Sequence, residues 1–307
     1  MSAKSGRVLQ RVEIATHCVP ELDRCIAPYI NLLDFSVAKR GKIDAELCAV
    51  WDTPAMLAKP FALLQPASKA PVFLRFIETG EEGGYWPPVT QGWTATEMLA
   101  MDPDALVEKF SGSPFRRIGG PGDLYPGPKS ARALQTAGPA GELMYFTRLL
   151  PGGSRFGLKG AKSFVDRPFI MVMGGTSLEA IHAFYATKLG QRVDEPTTFR
   201  IGQMSQVLGV DPNTAYRVIL ARLPGRSFLL ELEELPAGTP RRLRPEGRLP
   251  QGLAMVSFSA EIPPSMEAEF RSPRRRIEAF PYNGRRTGVI EGPAGEWLEL
   301  IDTQVLD

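Results

Sequence analysis

Two glutamates set into strand-like segments are the first candidates for chemistry. Glu231 stands in Leu229-Leu230-Glu231-Leu232, and Glu299 in Trp297-Leu298-Glu299-Leu300. Successive side chains of a strand point to opposite faces. The leucines on either side therefore turn towards a hydrophobic layer, and each glutamate turns the other way. Two such carboxylates, if they line one cavity, can share a proton, hold a cationic group, or bind a divalent metal completed by water and substrate. As catalytic groups, Glu231 and Glu299 would abstract an acidic proton in an isomerase or lyase. The same alternation also fits two solvent-facing glutamates.

Histidine is scarce. The chain has 2 His, His17 and His182. A nonheme iron site of two imidazoles and a carboxylate needs both to converge. His17 falls at the end of the first strand and His182 within a helix of the other half, so that site is disfavoured. His17 remains a candidate cavity residue or a structural one. The 3 Cys (Cys18, Cys25 and Cys48) are odd in number and lack paired spacing. This excludes a cysteine-rich zinc site and argues against a disulfide framework.

The elements that must position these residues read as short strands between Gly and Pro punctuation. Strands are expected over 12–16, 45–51, 72–78, 94–98, 132–136 and 143–149 in the first half. The second half offers 169–173, 215–221, 228–233, 253–259, 286–290 and 297–301. Helices are expected over 21–33, 103–110 and 177–189, with only a short one near Ser265 because Pro263-Pro264 interrupts it. Each half thus holds two units of strand, helix and further strands.

Two internal repeats support this division. Gly138-Pro139-Ala140-Gly141-Glu142 returns as Gly292-Pro293-Ala294-Gly295-Glu296, before a similar strand each time. The segment from Tyr29 to Phe35 resembles the one from Tyr185 to Gln191, and each closes a helix. Repeats at half the chain length indicate duplicated architecture. The Gly- and Lys-containing stretch 151–163 is the expected junction, giving domains over 1–152 and 164–307.

Composition limits the partners. The 307 residues are 43% hydrophobic, and 36 Lys and Arg against 34 Asp and Glu leave a net charge of +2. That balance argues against nucleic acid as the main partner. No apolar run is long enough to span a membrane and no signal peptide is visible, so the expected location is cytoplasmic. Arginines concentrate at 241–248 and 271–286; they read either as solvated loops or as contacts for an anionic ligand. A homodimer is left open.

The repeats resemble those of the vicinal oxygen chelate superfamily, the glyoxalase, bleomycin-resistance and extradiol-dioxygenase group. The marks are Phe184-Tyr185 with Leu189-Gly190 after a strand and helix, Gly-Pro-Ala-Gly-Glu before a last strand, and the weaker Pro28-Tyr29 with Leu33-Asp34-Phe35. The resemblance implies an α+β fold of four βαβββ modules paired into two glyoxalase-like open barrels, the first module with the second and the third with the fourth. It also implies a small-molecule enzyme, an isomerase or lyase, or a non-catalytic binding protein on the same scaffold.

Family members hold a divalent metal through first- and last-strand residues. Carried over, the last-strand places fall on Glu231 and Glu299, and on Arg75 and Tyr145 in the other modules. First-strand places fall near Ile14, Ala95, Ile170 and Met255, which are poor ligands. The metal candidates are therefore Glu231 and Glu299. Arg75 and Tyr145, sharing the other cavity, suit a small organic or oxyanionic ligand. His17 and Met255 complete the substrate-binding candidates. Glu97, in Thr96-Glu97-Met98, joins the Arg75 and Tyr145 region if its register permits.

Overall fold

The structure, a computed structural model, describes residues 6–80, 90–152, 157–200, 205, 209–211 and 213–303. The first module comprises β1 (Leu9–Val19), α1 (Leu22–Leu33), β2 (Ser36–Lys42), α2 (Ala45–Trp51), β3 (Pro60–Gln65) and β4 (Phe73–Glu78). The second comprises β5 (Gly92–Ala100), α3 (Pro103–Phe110), β6 (Arg116–Asp123), β7 (Arg132–Ala137) and β8 (Leu143–Arg148). The third comprises β9 (Val165–Gly175), α4 (Leu178–His182) with a wider helical turn Ala183–Lys188, then β10 (Arg192–Val193), β11 (Thr197–Arg200), β12 (Ala215–Arg222) and β13 (Leu229–Glu234). The fourth comprises β14 (Gly252–Ala260), a tight helical turn Pro264–Glu269, β15 (Arg275–Ile277), β16 (Arg285–Glu291) and β17 (Trp297–Asp302).

The four βαβββ modules form two curled mixed sheets. An eight-stranded sheet runs β15-β16-β17-β14-β1-β4-β3-β2, and a nine-stranded sheet runs β10-β12-β13-β9-β5-β8-β7-β6, with β11 beside β12. The expected module pairing is corrected by this order. The first module joins the fourth through the antiparallel β1–β14 ladder, from Leu9 opposite Ala260 to Cys18 opposite Gly252. The second joins the third through the antiparallel β5–β9 ladder. The expected junction at 151–163 lies within the nine-stranded sheet's connection from β8 to β9, and partly outside the described residues.

One expected strand is a helix. Residues 45–51 form α2, because the Asp44 side chain accepts from the Leu47 amide at 2.8 Å and caps its start. Leu47, Cys48, Val50 and Trp51 then share one buried helical face. The short turn after Pro263 and the helix over 103–110 agree with expectation.

Period-two alternation sorts the side chains. Leu230, Leu232, Leu298 and Leu300 enter a large core with Tyr29, Phe76, Trp93 and Phe258. Trp297 and Ile301, on the opposite face of β17, join Trp51, Met255 and Tyr282 in the cup of the eight-stranded sheet. Ala95, Leu99, Ile170, Val172 and Leu229 line the cup of the nine-stranded sheet. The sheets are stitched together where Trp93 Nε1 donates to the Trp297 carbonyl at 2.8 Å. Arg242 adds bonds to the carbonyls of Trp93 and Leu253.

Both repeats belong to one clasp. Tyr29 in α1 donates its hydroxyl to Glu142, and Tyr185 donates to Glu296. Each glutamate also accepts from a turn amide, that of Ala140 at 2.7 Å and that of Ala294 at 2.9 Å. A Cβ at Gly138 would stand 2.2 Å from Glu142 Oε1, and one at Gly292 would stand 2.0 Å from Glu296 Oε1. Glycine is therefore needed where the folded-back carboxyl crosses the turn. Burial pushes both carboxyls up to about 7, against the lowering effect of their hydrogen bonds.

Candidate functional site

The predicted site residues separate into two cups. Glu299, Arg75 and Met255 face the eight-stranded cup; Glu231 and Tyr145 face the nine-stranded one. Glu231 and Glu299 each face away from their leucine neighbours, as alternation predicts, and into the concave side, as the resemblance implied. They do not share a cavity, so one metal held by both is excluded by their placement. Arg75 and Tyr145 are likewise divided. The joint sites fail because the first module pairs with the fourth.

The polar groups at the centre of the eight-stranded cup satisfy one another. Thr16, Arg75, Ser257 and Glu299 come from β1, β4, β14 and β17, its four central strands. Arg75 Nε donates to Thr16 Oγ1 at 3.0 Å, Nη1 to the Tyr282 hydroxyl at 2.8 Å, and Nη2 to Glu299 Oε2 at 3.1 Å. Glu299 Oε1 accepts from Trp51 Nε1 and from Tyr282, each at 2.8 Å, and Oε2 also accepts from Ser257 Oγ. The guanidinium lies 4.7 Å from the Trp51 ring centre. Burial alone would lower the Arg75 pKa, but Tyr282 and Glu299 hold it above the usual value.

This donor set does not fit a divalent metal. A permanent cation already stands beside the carboxylate that would ligate it, and both carboxylate oxygens are satisfied. Arg75 in turn lacks the open fork that an oxyanion needs, since three of its N–H groups are engaged. Met255 packs within this filled cup.

His17 faces away from both cups. It is buried and stacked on Phe76 with ring centres 5.3 Å apart, and neither ring nitrogen has a hydrogen-bond partner among the described residues. Burial, then the nearby Arg242 charge, lowers its pKa to about 3, so it stays neutral. The expectation that it lines a substrate cavity is corrected: the alternation that points Thr16 at Arg75 points His17 into the core. The arginine-rich segments are largely ion-paired or bonded to backbone. Arg271 and Arg244 meet Glu291, Arg274 meets Glu267 and Asp302, and Arg285 meets Glu13.

The nine-stranded cup is different. Glu97 lies on β5 directly opposite Tyr145 on β8, and its face is shared with Ala95 and Leu99. Glu231 lies on β13 with Glu233 two residues on, the same face by period two. Gln135 Nε2 donates to the Tyr145 hydroxyl at 2.7 Å, and Thr147 Oγ1 donates to Glu97 Oε1 at 2.5 Å.

The acids of this cup affect one another's titration. Burial, then repulsion from Glu231, raises Glu97 to about 8 despite the Thr147 bond. Burial raises Glu231; burial and the Glu231 charge raise Glu233. Tyr145 is pushed up by burial and by all three carboxyls. Glu231 and Tyr145 are partly exposed, whereas Glu97 and Glu233 are buried. Among the described residues, no three His, Cys, Asp or Glu side chains are grouped to hold a metal ion. Glu97 and Glu231 offer carboxyls of the kind a hard cation prefers.

Sequence reasoning named Glu97 only conditionally and missed Glu233, although the Leu-Glu-Leu-Glu alternation places Glu233 beside Glu231. It also missed Trp51, Tyr282 and Ser257. Trp51 was hidden by reading α2 as a strand.

No protein-family model matches the chain, and no curated protein matches it. Solved structures do. Glyoxalase I from Zea mays aligns over 95% of this chain and 92% of its own, with TM-score 0.62 and 15% identity. A Bacillus subtilis protein assigned as a dioxygenase aligns over 97% of this chain and 86% of its own, with TM-score 0.61 and 9% identity. Among the described residues, no helix is long and apolar enough to cross a membrane. At these identities the likeness is one of fold, and the chain has a glyoxalase I-like fold of two open barrels.

Proposed function

We propose that the protein is a small-molecule isomerase or lyase whose chemistry takes place in the nine-stranded cup, with Glu231 and Glu97 as its base and acid. The observation that supports this most is the pair of carboxyls on β13 and β5, facing one cup with Glu97 raised to about 8. Near neutral pH Glu97 keeps its proton, and Glu231, the more open of the two, is poised to take one. Two acids of different environment divide the roles of donor and acceptor.

The reaction that suits them is proton transfer next to a carbonyl. Glu231 takes the acidic C–H proton and the electron pair moves to the carbonyl oxygen. Glu97 donates to that developing oxyanion to give an enediol; Glu231 then returns its proton to the neighbouring carbon while the other hydroxyl proton passes to Glu97, which completes an isomerisation and restores both acids. Tyr145, held by Gln135, forms an aromatic wall, and Leu99, Ile170, Val172 and Leu229 exclude water around the reacting carbons. The three acids disfavour an anionic substrate here. A divalent ion is not required by these steps.

Exchange of carbonyl-adjacent protons in deuterated water, read by proton NMR over a panel of small hydroxy-ketones and 1,2-dicarbonyls, tests the proposal. The wild type is expected to catalyse exchange in at least one compound. Glu231→Gln is expected to lower that rate by about 10²–10⁴-fold, the usual contribution of a positioned base. No exchange across the panel, or exchange unchanged in the variant, contradicts the proposal and leaves ligand binding as the role of the cup.

A further inference from the structure

The eight-stranded cup opens to solvent through a pocket of about 60 Å³. Its walls come from β2 at one outer edge of the sheet and from Ile277, which ends β15 at the other edge, with the following residues 279–282. The two edges meet where Lys39 Nζ donates to the Phe280 carbonyl at 3.0 Å. At about 10–15 Å³ for each water-sized position, this volume suits a headgroup of a few heavy atoms.

The charges around it have one prevailing sign. Lys39 and Lys42 stand on β2, and the buried Arg75 forms the floor. Asp44 is the carboxylate of the lining, and it is engaged in capping α2 through the Leu47 amide. The Glu299 carboxylate lies behind Arg75, where it is satisfied by four side chains. The remaining walls are apolar, with Phe61, Leu63, Ile277 and Phe280. The Phe280 ring packs edge-on against Phe73 at 5.3 Å.

We propose that this slot is a second ligand site, separate from the nine-stranded cup, that takes a small carboxylate with a short apolar tail. Lys42 and Lys39 meet the carboxylate at the mouth, the already bonded Arg75 and Tyr282 close the floor beneath it, and the aromatic walls cover the tail. The site binds without chemistry, because every acid near it is already bonded. It makes the two barrels opposite in preference: the eight-stranded one accepts anions, and the nine-stranded one disfavours them.

The test is an NMR amide-shift titration of the full chain with butyrate, alongside n-butanol and butylammonium. Butyrate is expected to give saturable shifts in residues 39–44 and 277–282. Butanol is expected to bind about tenfold more weakly or less, and butylammonium not at all, as one charge interaction near a surface is worth about that factor. Lys42→Glu should weaken butyrate by about tenfold or more, and Lys42→Met by a smaller factor. Lys42 is an exposed edge residue, and unchanged shifts elsewhere in the spectrum verify that each variant folds. Equal binding of butanol and butyrate, no saturable shift in these segments, or full affinity in Lys42→Glu would overturn the assignment. Proton exchange in the nine-stranded cup is scored separately and is expected to be unaffected by Lys42→Glu.

Discussion

The hydroxyl of Tyr185 donates to Glu296 at 3.2 Å. Tyr29 and Glu142 make the same contact in the other half, so two sequence repeats that lie far apart along the chain are the two sides of one clasp. Each clasp joins a module to the next one in sequence, the first to the second and the third to the fourth. The sheets join modules differently, the first to the fourth and the second to the third. Together the two kinds of connection tie all four modules into a ring.

Removing a clasp hydroxyl should be costly. Tyr185→Phe and Tyr29→Phe each deprive a buried carboxyl of a donor, and each is expected to destabilise the chain by about 1–3 kcal/mol. The clasps share no residue, so the double variant should show the sum to within about 0.5 kcal/mol. Urea unfolding of the three variants measures this.

Arg75 and Glu299 should be far more sensitive singly than together. Arg75→Met leaves a buried carboxylate without its cation and is expected to cost about 3–5 kcal/mol. Arg75→Met with Glu299→Met removes both charges and should recover a large part of that loss. A double-mutant cycle in chemical denaturation measures the difference. A double-variant loss equal to the sum of the Arg75→Met and Glu299→Met losses would show that the pair is not coupled.

Stability should rise as pH falls from 8 to 6.5. Glu97, Glu142, Glu231, Glu233 and Glu296 all have folded pKa values above the usual 4.5. The folded state therefore binds more protons than the unfolded one, and the stability these groups contribute is full below 4.5 and lost as pH rises through their folded values. His17 acts oppositely and only below its ordinary 6.5, because it stays neutral to about 3 in the fold. Thermal unfolding should give a higher Tm at pH 6.5 than at pH 8, and Glu142→Gln with Glu296→Gln should flatten that dependence.

Much of the architecture was legible because it was duplicated. The Gly-Pro-Ala-Gly-Glu repeat marks a turn whose glutamate must fold back across a glycine, a local requirement that leaves a strong imprint. The facing of Glu231 and Glu299 away from their leucine neighbours also followed from alternation alone. What remained hidden was nonlocal. Nothing in the residues around β1 states that its partner is β14 at the far end of the chain, and that pairing decides which acids meet. The filling of one cup by Trp51 and Tyr282 depended on α2, whose short amphipathic run passes for a strand until Asp44 is seen to cap it. The Lys39 and Lys42 pocket was likewise invisible, because β2 is exposed and its charges read as a solvated edge.

The central claim is that Glu231 and Glu97 act as base and acid in the nine-stranded cup, and its most direct measurement is the pH profile of carbonyl-adjacent proton exchange on the best compound of the panel. The wild type should give a bell, falling on the acid side as the base takes up its proton and on the alkaline side near pH 8 as Glu97 loses its own. Glu97→Gln should abolish the alkaline limb while retaining the acid one. An alkaline limb unchanged in Glu97→Gln, or a rate that does not fall with acid, would contradict the account.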